Sequence, residues 1–262
     1  MSEAVTPPAR CRQAIILAAG EGKRLRPLTE AVPKCLVRVG DETMLDRILH
    51  ALGEIGVEEV VVVTGHLHDV LRTHVEGTPR PFNVEYVHNE RYDETNNVYS
   101  LWLARERLRP PFVLAESDLV FDPVALEPLT VPDRMAVARW TPVMDGTVVE
   151  VDPGGTVTRL ILKRDQRPDQ DLAATWKTVN LYSFSERTWQ AAYRPALDKA
   201  VAAGELQDYY EASLGELINA GMVTLEAVDF SAERWMEVDD LTDLARAEEQ
   251  FSPPQPLGPA PS

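Results

Sequence analysis

Gln13-Ala14-Ile15-Ile16-Leu17-Ala18-Ala19-Gly20-Glu21-Gly22-Lys23-Arg24-Leu25-Arg26-Pro27-Leu28-Thr29, followed by Pro33-Lys34-Cys35-Leu36, is the stretch that decides the fold. Gln13–Ala19 is a continuous apolar run that stops at a glycine, the pattern of a strand buried on both faces of a parallel sheet. The glycines let the backbone approach a phosphate group and aim N–H groups at it. The lysines and arginines then neutralise phosphate charge. The string is not a P-loop, because the Gly-Lys-Ser/Thr ending is missing. It is not the dinucleotide fingerprint either, since Leu25 stands where the third glycine belongs.

Working outward, strands and helices alternate. Thr43–Ile55 carries apolar residues at a helical period, and Glu59–Thr64 is a second buried strand. A short helix near Leu67–Val75, a strand at Asn83–His88, a helix over Asn97–Leu108 and a strand at Pro111–Ala115 follow. This rhythm predicts an α/β fold with a doubly wound, mostly parallel (Rossmann-like) sheet. After Pro132 the pattern becomes strand-rich: Met135–Trp140, Thr147–Asp152, Thr156–Lys163 and Lys177–Phe184. Helices over Glu186–Ala203 and Asp208–Ala220 come next, then strands at Met222–Phe230 and Trp235–Asp239 and a helix over Leu241–Phe251. We therefore expect one domain over residues 12–251. Its nucleotide-binding half is 12–131, its acceptor-binding half is 132–251, and residues 1–11 and 252–262 are disordered tails.

The 262 residues include 42 acidic and 26 basic side chains, five His and two Cys, with a net charge of −16. That balance excludes general binding to nucleic acid or anionic membranes. Against it, Glu21–Gly40 holds five basic residues (Lys23, Arg24, Arg26, Lys34, Arg38) and two acidic ones (Glu21, Glu30), a local charge of +3. A basic island in an acidic chain points to a small, highly charged anion. No apolar run approaches the roughly 20 residues that span a bilayer. The N-terminus has no signal-peptide core, and Cys11 and Cys35 form no disulfide framework. Together these predict a cytoplasmic protein.

Acidic residues form a second constellation. Asp118 follows an apolar strand, at the end where α/β sheets place ligands. Glu237 and Asp239 lie two apart on a strand-like segment, so both side chains face the same way. Carboxylates gathered from distant parts of a chain can hold one Mg²⁺ against phosphate oxygens. Asp240 fits as the N-cap of the last helix. His66 and His68 have no third ligand at metal-binding spacing.

The string from Leu17 to Leu36 resembles the signature of the nucleotidyltransferases that make sugar nucleotides and CDP-alcohols. The resemblance implies that Leu17, Ala18, Ala19, Gly20, Glu21, Gly22 and Lys23 surround the nucleotide, the glycines at its phosphates and the alanines against its base. Arg24 would hold the β- and γ-phosphates and Lys34 the α-phosphate. An Asp at each of two places holds Mg²⁺ in that family, and the matching positions are Asp118 and Asp239, with Glu237 as a third candidate. Thr95-Asn96-Asn97-Val98-Tyr99-Ser100-Leu101 is similar to a motif of bacterial choline-phosphate cytidylyltransferases and of cytidylyltransferases acting on phosphonates such as 2-aminoethylphosphonate. It offers Asn96 and Asn97 to the base or the acceptor. Lys177 to Tyr182, including Asn180, and Tyr209-Tyr210-Glu211 resemble the phosphonate enzymes. Lys177 would then pair with the acceptor's anion, and Lys163 lies near where relatives keep a phosphate-contacting lysine. Asp145 or Glu211 could take an acceptor's ammonium. Trp140, Trp176 and Trp235 would be the raw material of a choline cage.

The expected activity is a Mg²⁺-dependent cytidylyltransferase using CTP and a small phosphonate, or a phosphomonoester such as phosphocholine, and releasing pyrophosphate. A homodimer is left open. The rival within the class is a sugar-1-phosphate nucleotidyltransferase, disfavoured because its Gly-x-Ala-x-Ala-Leu segment is absent. A catalytically silent regulatory module would be expected to lose Arg24, Lys34, Asp118 or Asp239, and all four are present. A dinucleotide-binding oxidoreductase is a distant third.

Overall fold

A computed structural model describes residues 10–251. Of the tails expected at 1–11 and 252–262, all but Arg10 and Cys11 lie outside the described residues. The nucleotide half contains β1 (Gln13–Ala18), β2 (Arg38–Val39), β3 (Glu42–Thr43), α1 (Met44–Glu54), β4 (Glu59–Thr64), α2 (His68–Glu76), β5 (Asn83–His88), α3 (Asn97–Ala104), β6 (Phe112–Glu116) and β7 (Leu119–Phe121). The second half contains β8 (Arg134–Arg139), β9 (Val148–Val151), β10 (Val157–Ile161), β11 (Trp176–Phe184), α4 (Glu186–Thr188), α5 (Arg194–Ala202), α6 (Tyr210–Asn219), β12 (Glu226–Asp229), β13 (Trp235–Glu237) and α7 (Leu241–Phe251).

The main sheet runs β10-β9-β11-β6-β1-β4-β5, with β8 beside β11 and β12 beside β8. β1 pairs in parallel with both β4 and β6, and β4 with β5. β11 is antiparallel to β6, β8 and β9, so among the sheet's strands only β10 and β11 run against the common direction. The long strand β11 joins the two halves into one sheet.

Alternation along the central strands feeds two cores. Ile16, Val60 and Val62 pack under α1 and α2 with Leu45, Ile48, Leu52 and Leu71. Ile15, Leu17, Val61 and Val63 pack on the other face against Leu101 of α3 and Leu214 and Ile218 of α6. Each such buried aliphatic side chain contributes about 1.5–3 kcal/mol relative to exposure. Covering both faces is what makes these strands read as continuous apolar runs. A third cluster docks α7 through Leu244 and Ala247 onto Leu25, Val37, Val120 and Val238. It lies directly behind the Gly-rich turn.

Several elements differ from the sequence expectation. Cys11, assigned to the tail, is buried, and its N–H donates to the Thr130 carbonyl at 2.8 Å. Arg10, also assigned to the tail, pairs with Glu127 at 2.6 Å. α3 ends at Ala104, four residues early, because Arg105 and Arg107 turn back in tight i→i−3 bonds that send Leu108 inward. The helix expected over Glu186–Ala203 is interrupted by a widened turn at Trp189–Tyr193, just before Pro195. Proline has no N–H for the carbonyl four residues back, and a wider turn absorbs that mismatch.

Cys11 and Cys35 are free and buried, and burial pushes both thiols up to about 12. A thiol-disulfide reagent at pH 8 is therefore expected to label neither in the native protein and both in denaturant. Prompt labelling of the native chain would contradict the packing described here.

Candidate functional site

β1 is buried along its whole length and releases the chain at its carboxyl end, between β4 and β6. The turn that follows depends on Gly22. Its φ is 64°, and a Cβ there would lie 2.8 Å from the Lys34 Cβ. The Gly22 carbonyl accepts from Thr29 Oγ1 at 2.8 Å and from the Leu25 N–H at 2.9 Å, closing the loop into a short 3₁₀ turn. Lys23 pairs with Glu21 at 2.5 Å and Arg26 reaches the same carboxylate at 3.6 Å, so part of the basic island is balanced internally. Arg24 and Lys34 point elsewhere.

β7 and β13 bring the acidic residues together. These strands pair antiparallel with Leu119 opposite Glu237, and the Val238 N–H donates to the Asp118 carbonyl at 2.9 Å. Asp118, Glu237 and Asp239 each offer an oxygen, all within 4.8 Å of one another. The Lys34 ammonium donates to Asp118 Oδ2 at 2.8 Å and to Asp239 Oδ1 at 2.7 Å. Arg24 takes the same Asp239 oxygen at 2.7 Å. Burial opposes ionisation of both partners, but the mutual attraction wins. Lys34 is held above, and Asp239 below, its ordinary value. Asp240 caps α7 as expected, accepting from the Thr242 and Asp243 N–H groups at 2.7 and 3.0 Å.

Beside the carboxylates lies a buried polar network. Lys177 is 4% exposed; its ammonium donates to the Thr178 carbonyl at 2.6 Å and lies 3.4 Å from Glu237. Gly146, at φ 110°, leaves room for it, since a Cβ there would stand 3.0 Å from the Lys177 Cε. Asn180 also has positive φ, at 60°, where the register of β11 against β8 is broken. The kink turns its amide to Glu237 Oε1 at 3.4 Å. Glu211 is buried and accepts from Thr147 Oγ1 at 2.7 Å and from the Tyr182 hydroxyl. At the mouth, Lys163 pairs with Asp145, and Arg164 with Asp208.

One cleft of about 550 Å³ is lined by most of the residues singled out for the nucleotide, the acceptor or the metal: Leu17 to Arg24, Lys34, Asn96, Asn97, Asp118, Asp145, Lys163, Lys177, Asn180, Glu211, Glu237 and Asp239. The amides of Asn96 and Asn97 are already in use. Asn97 Oδ1 accepts from the Tyr210 N–H at 3.0 Å, and Asn96 Oδ1 accepts from the Asn97 N–H at 2.8 Å. They fasten the start of α6 to α3. Glu116 was not singled out by the sequence reading, yet it lines the cleft at the end of β6. Burial, then Asp118, Glu237 and Glu211, hold its carboxyl well above the ordinary range. Its only signal was its place two residues before Asp118. None of the tryptophans lines the cleft, whose aromatic residues are Tyr92 and Tyr209. His66 and His68 bond to the Thr29 carbonyl and Thr64 Oγ1 instead.

The donor set fits a divalent cation. All three groups are carboxylates, the oxygen ligands that hard cations take. Asp118 Oδ1 is a buried oxygen without a hydrogen-bond partner, the kind of orphan a metal would satisfy.

A Gly-rich turn at the end of the first strand, with cations and convergent carboxylates around it, is the layout of a nucleoside-triphosphate transferase. The chain belongs to the MobA-like NTP transferase domain family, whose model matches residues 14–145. It is 36% identical over 253 residues to the CMP-5'-(3-aminopropyl)phosphonate synthase of Streptomyces rubellomurinus, a match covering 95% of this chain and 40% of that protein. It is 27% identical over 241 residues to the choline-phosphate cytidylyltransferase of Streptococcus pneumoniae, covering 90% of this chain and 97% of the relative. The solved structure of CTP:phosphocholine cytidylyltransferase from Streptococcus pneumoniae superposes with a TM-score of 0.75 at 22% identity, covering 92% of this chain and 98% of that one. The chain thus spans less than half of the first relative and nearly all of the second.

Proposed function

We propose that the chain is a Mg²⁺-dependent cytidylyltransferase that moves CMP from CTP to a small phosphonate. The observation that carries this reading is Lys34 set between Asp118 and Asp239 at the mouth of the Gly-rich turn, with Lys177 beside Glu237 in the same cleft. A phosphonate oxygen attacks the α-phosphorus in line. The new P–O bond forms as the bond from the α-phosphorus to the bridging oxygen breaks, and pyrophosphate leaves. The backbone of Gly20–Gly22 and the side chain of Arg24 hold the departing phosphates, and Lys34 neutralises charge at the α-phosphate. Mg²⁺ held by Asp118, Asp239 and Glu237 would add neutralisation of phosphate charge. Lys177, Lys163 and Arg164, paired with Glu237, Asp145 and Asp208, are the cations an acceptor anion would draw on, and the protein's task is positioning rather than covalent chemistry.

The phosphonate is favoured over phosphocholine on two grounds. Choline is recognised by several aromatic faces, and no tryptophan lines the cleft. One relative named for a phosphonate, at 36% identity, is also more similar than the choline-phosphate enzyme at 27%. CTP is the expected donor. Asn89, Thr95 and Ser100 line the cleft and are tied together by Asn89 amide bonds of 3.1 Å to each hydroxyl, a preformed polar wall. Polar groups that bond one base leave a buried partner unpaired against another.

The test is pyrophosphate release across CTP, UTP, dTTP and ATP with 2-aminoethylphosphonate, 2-hydroxyethylphosphonate and phosphocholine. CTP should exceed UTP by about 100-fold or more in kcat/KM. Equal rates with dTTP would move the protein to the sugar-nucleotide branch. A phosphocholine advantage above about tenfold, or about 1.4 kcal/mol of transition-state binding, would overturn the acceptor and leave the reaction class standing.

A further inference from the structure

The Lys34 ammonium and a divalent cation draw on the same carboxylates. Lys34 uses Asp118 Oδ2 and Asp239 Oδ1 at 2.8 and 2.7 Å, and these two aspartates with Glu237 form the group whose oxygens converge within 4.8 Å. Arg24 adds a second positive group on Asp239 Oδ1 at 2.7 Å. A doubly charged ion among these carboxylates and the ammonium already on them repel each other, so each weakens the other's hold.

Lys34 has somewhere else to go. Its ammonium ends a flexible four-carbon stem with three rotatable donors, so it can change partners without moving the backbone. Gly20 is open on its Cβ side, and the Gly-rich turn and Lys34 line the same cleft. A phosphate oxygen there offers a charge-assisted bond comparable to the carboxylate bond given up. The exchange keeps every charge paired: the lysine trades carboxylate for phosphate, and the carboxylates trade ammonium for metal.

We propose that Lys34 is a resident competitor for the divalent cation, holding Asp118 and Asp239 until triphosphate draws it away, so that cation and nucleotide bind cooperatively. The inference rests on reading Asp118, Glu237 and Asp239 as the metal group. Linkage makes the effect reciprocal: nucleotide tightens the cation and the cation tightens nucleotide by the same factor.

Mn²⁺ binding without nucleotide, read from the electron paramagnetic resonance of free Mn²⁺, tests this apart from turnover. Lys34→Gln and Lys34→Met should bind Mn²⁺ at least tenfold more tightly than wild type, equivalent to about 1.4 kcal/mol. Lys34→Arg, which keeps the charge, should not. Adding Asp118→Asn to Lys34→Gln should abolish the gain. A wild-type measurement covers the event that the neutral variants fail to fold. The ¹⁵N-labelled Lys34 ammonium should give a resonance protected from solvent exchange, and saturating Mg²⁺ should remove that protection. If folded neutral variants bind no more tightly than wild type, or the ammonium signal is unmoved at saturation, the proposal fails. Where wild type still binds Mn²⁺ in a manner that Asp118→Asn removes, the metal reading survives that failure. If no protein in the series binds Mn²⁺ with or without CTP, both fall.

Discussion

Lys34→Ala is expected to lower kcat by about 10³-fold with CTP saturating, while the circular dichroism spectrum stays native. A preorganised charge at the position where negative charge develops accounts for about 10²–10³ in rate when removed. Such a group acts mainly on the transition state, so the loss should fall on kcat more than on KM. The fold should survive. Lys34 projects from a short 3₁₀ turn, and the cores beneath it do not involve its side chain. Asp118 and Asp239 retain partial access to water, with side chains 14% and 27% exposed, so neither is left fully buried and unpaired. An unchanged kcat in the folded variant would take Lys34 out of the reaction.

Within the run Glu237-Val238-Asp239-Asp240, neighbouring acidic residues should respond very differently to the same chemical change. Asp239→Asn is isosteric but removes the charge shared by Lys34 and Arg24. It should cost about 10²–10³ in kcat/KM, as should Asp118→Asn. Asp240→Asn should fall within about threefold of wild type. Asp240 is the N-cap of α7, and asparagine caps as well as aspartate. Glu237→Gln tests whether that carboxylate is a ligand or only the partner of Lys177, because glutamine keeps an oxygen facing Lys177 and loses the charge. Steady-state kinetics on these four variants, with folding checked by thermal melts, separates the roles. A collapse of Asp240→Asn together with survival of Asp239→Asn would exchange the two residues' assignments.

Much of this was legible in the sequence because it is local. The strand, turn and cations of Gln13–Leu36 lie within a few residues of one another, and their chemistry can be read from the string. The central strands were legible because both faces are covered, which writes them as unbroken apolar runs. What the sequence hid was tertiary. β7 has three residues, too few to show a period, and its partner β13 lies more than a hundred residues downstream. The short 3₁₀ stretch at Pro123–Thr130 that follows it has no alternation to detect. Glu116 is a single carboxylate whose character comes from Asp118, Glu237 and Glu211 around it. The side chains of Asn96 and Asn97 are committed to bonds with Gln207 and Tyr210, over a hundred residues away, which no local pattern announces.

The pairing of β7 with β13 also bears on how the molecule assembles. Lys34 and Asp239 are 205 residues apart in sequence. The parallel core of β1, β4, β5 and β6, with α1 and α2 on one face and α3 on the other, can form while later residues are still being synthesised, since domains tend to fold from the N-terminus as the chain emerges. The carboxylate group cannot, because one of its strands is among the last elements made. Contacts of such long sequence range are slow to close. Protection of the β1 and β4 amides from hydrogen exchange and recovery of function should therefore separate in time during refolding, with the ability to transfer a nucleotide returning last.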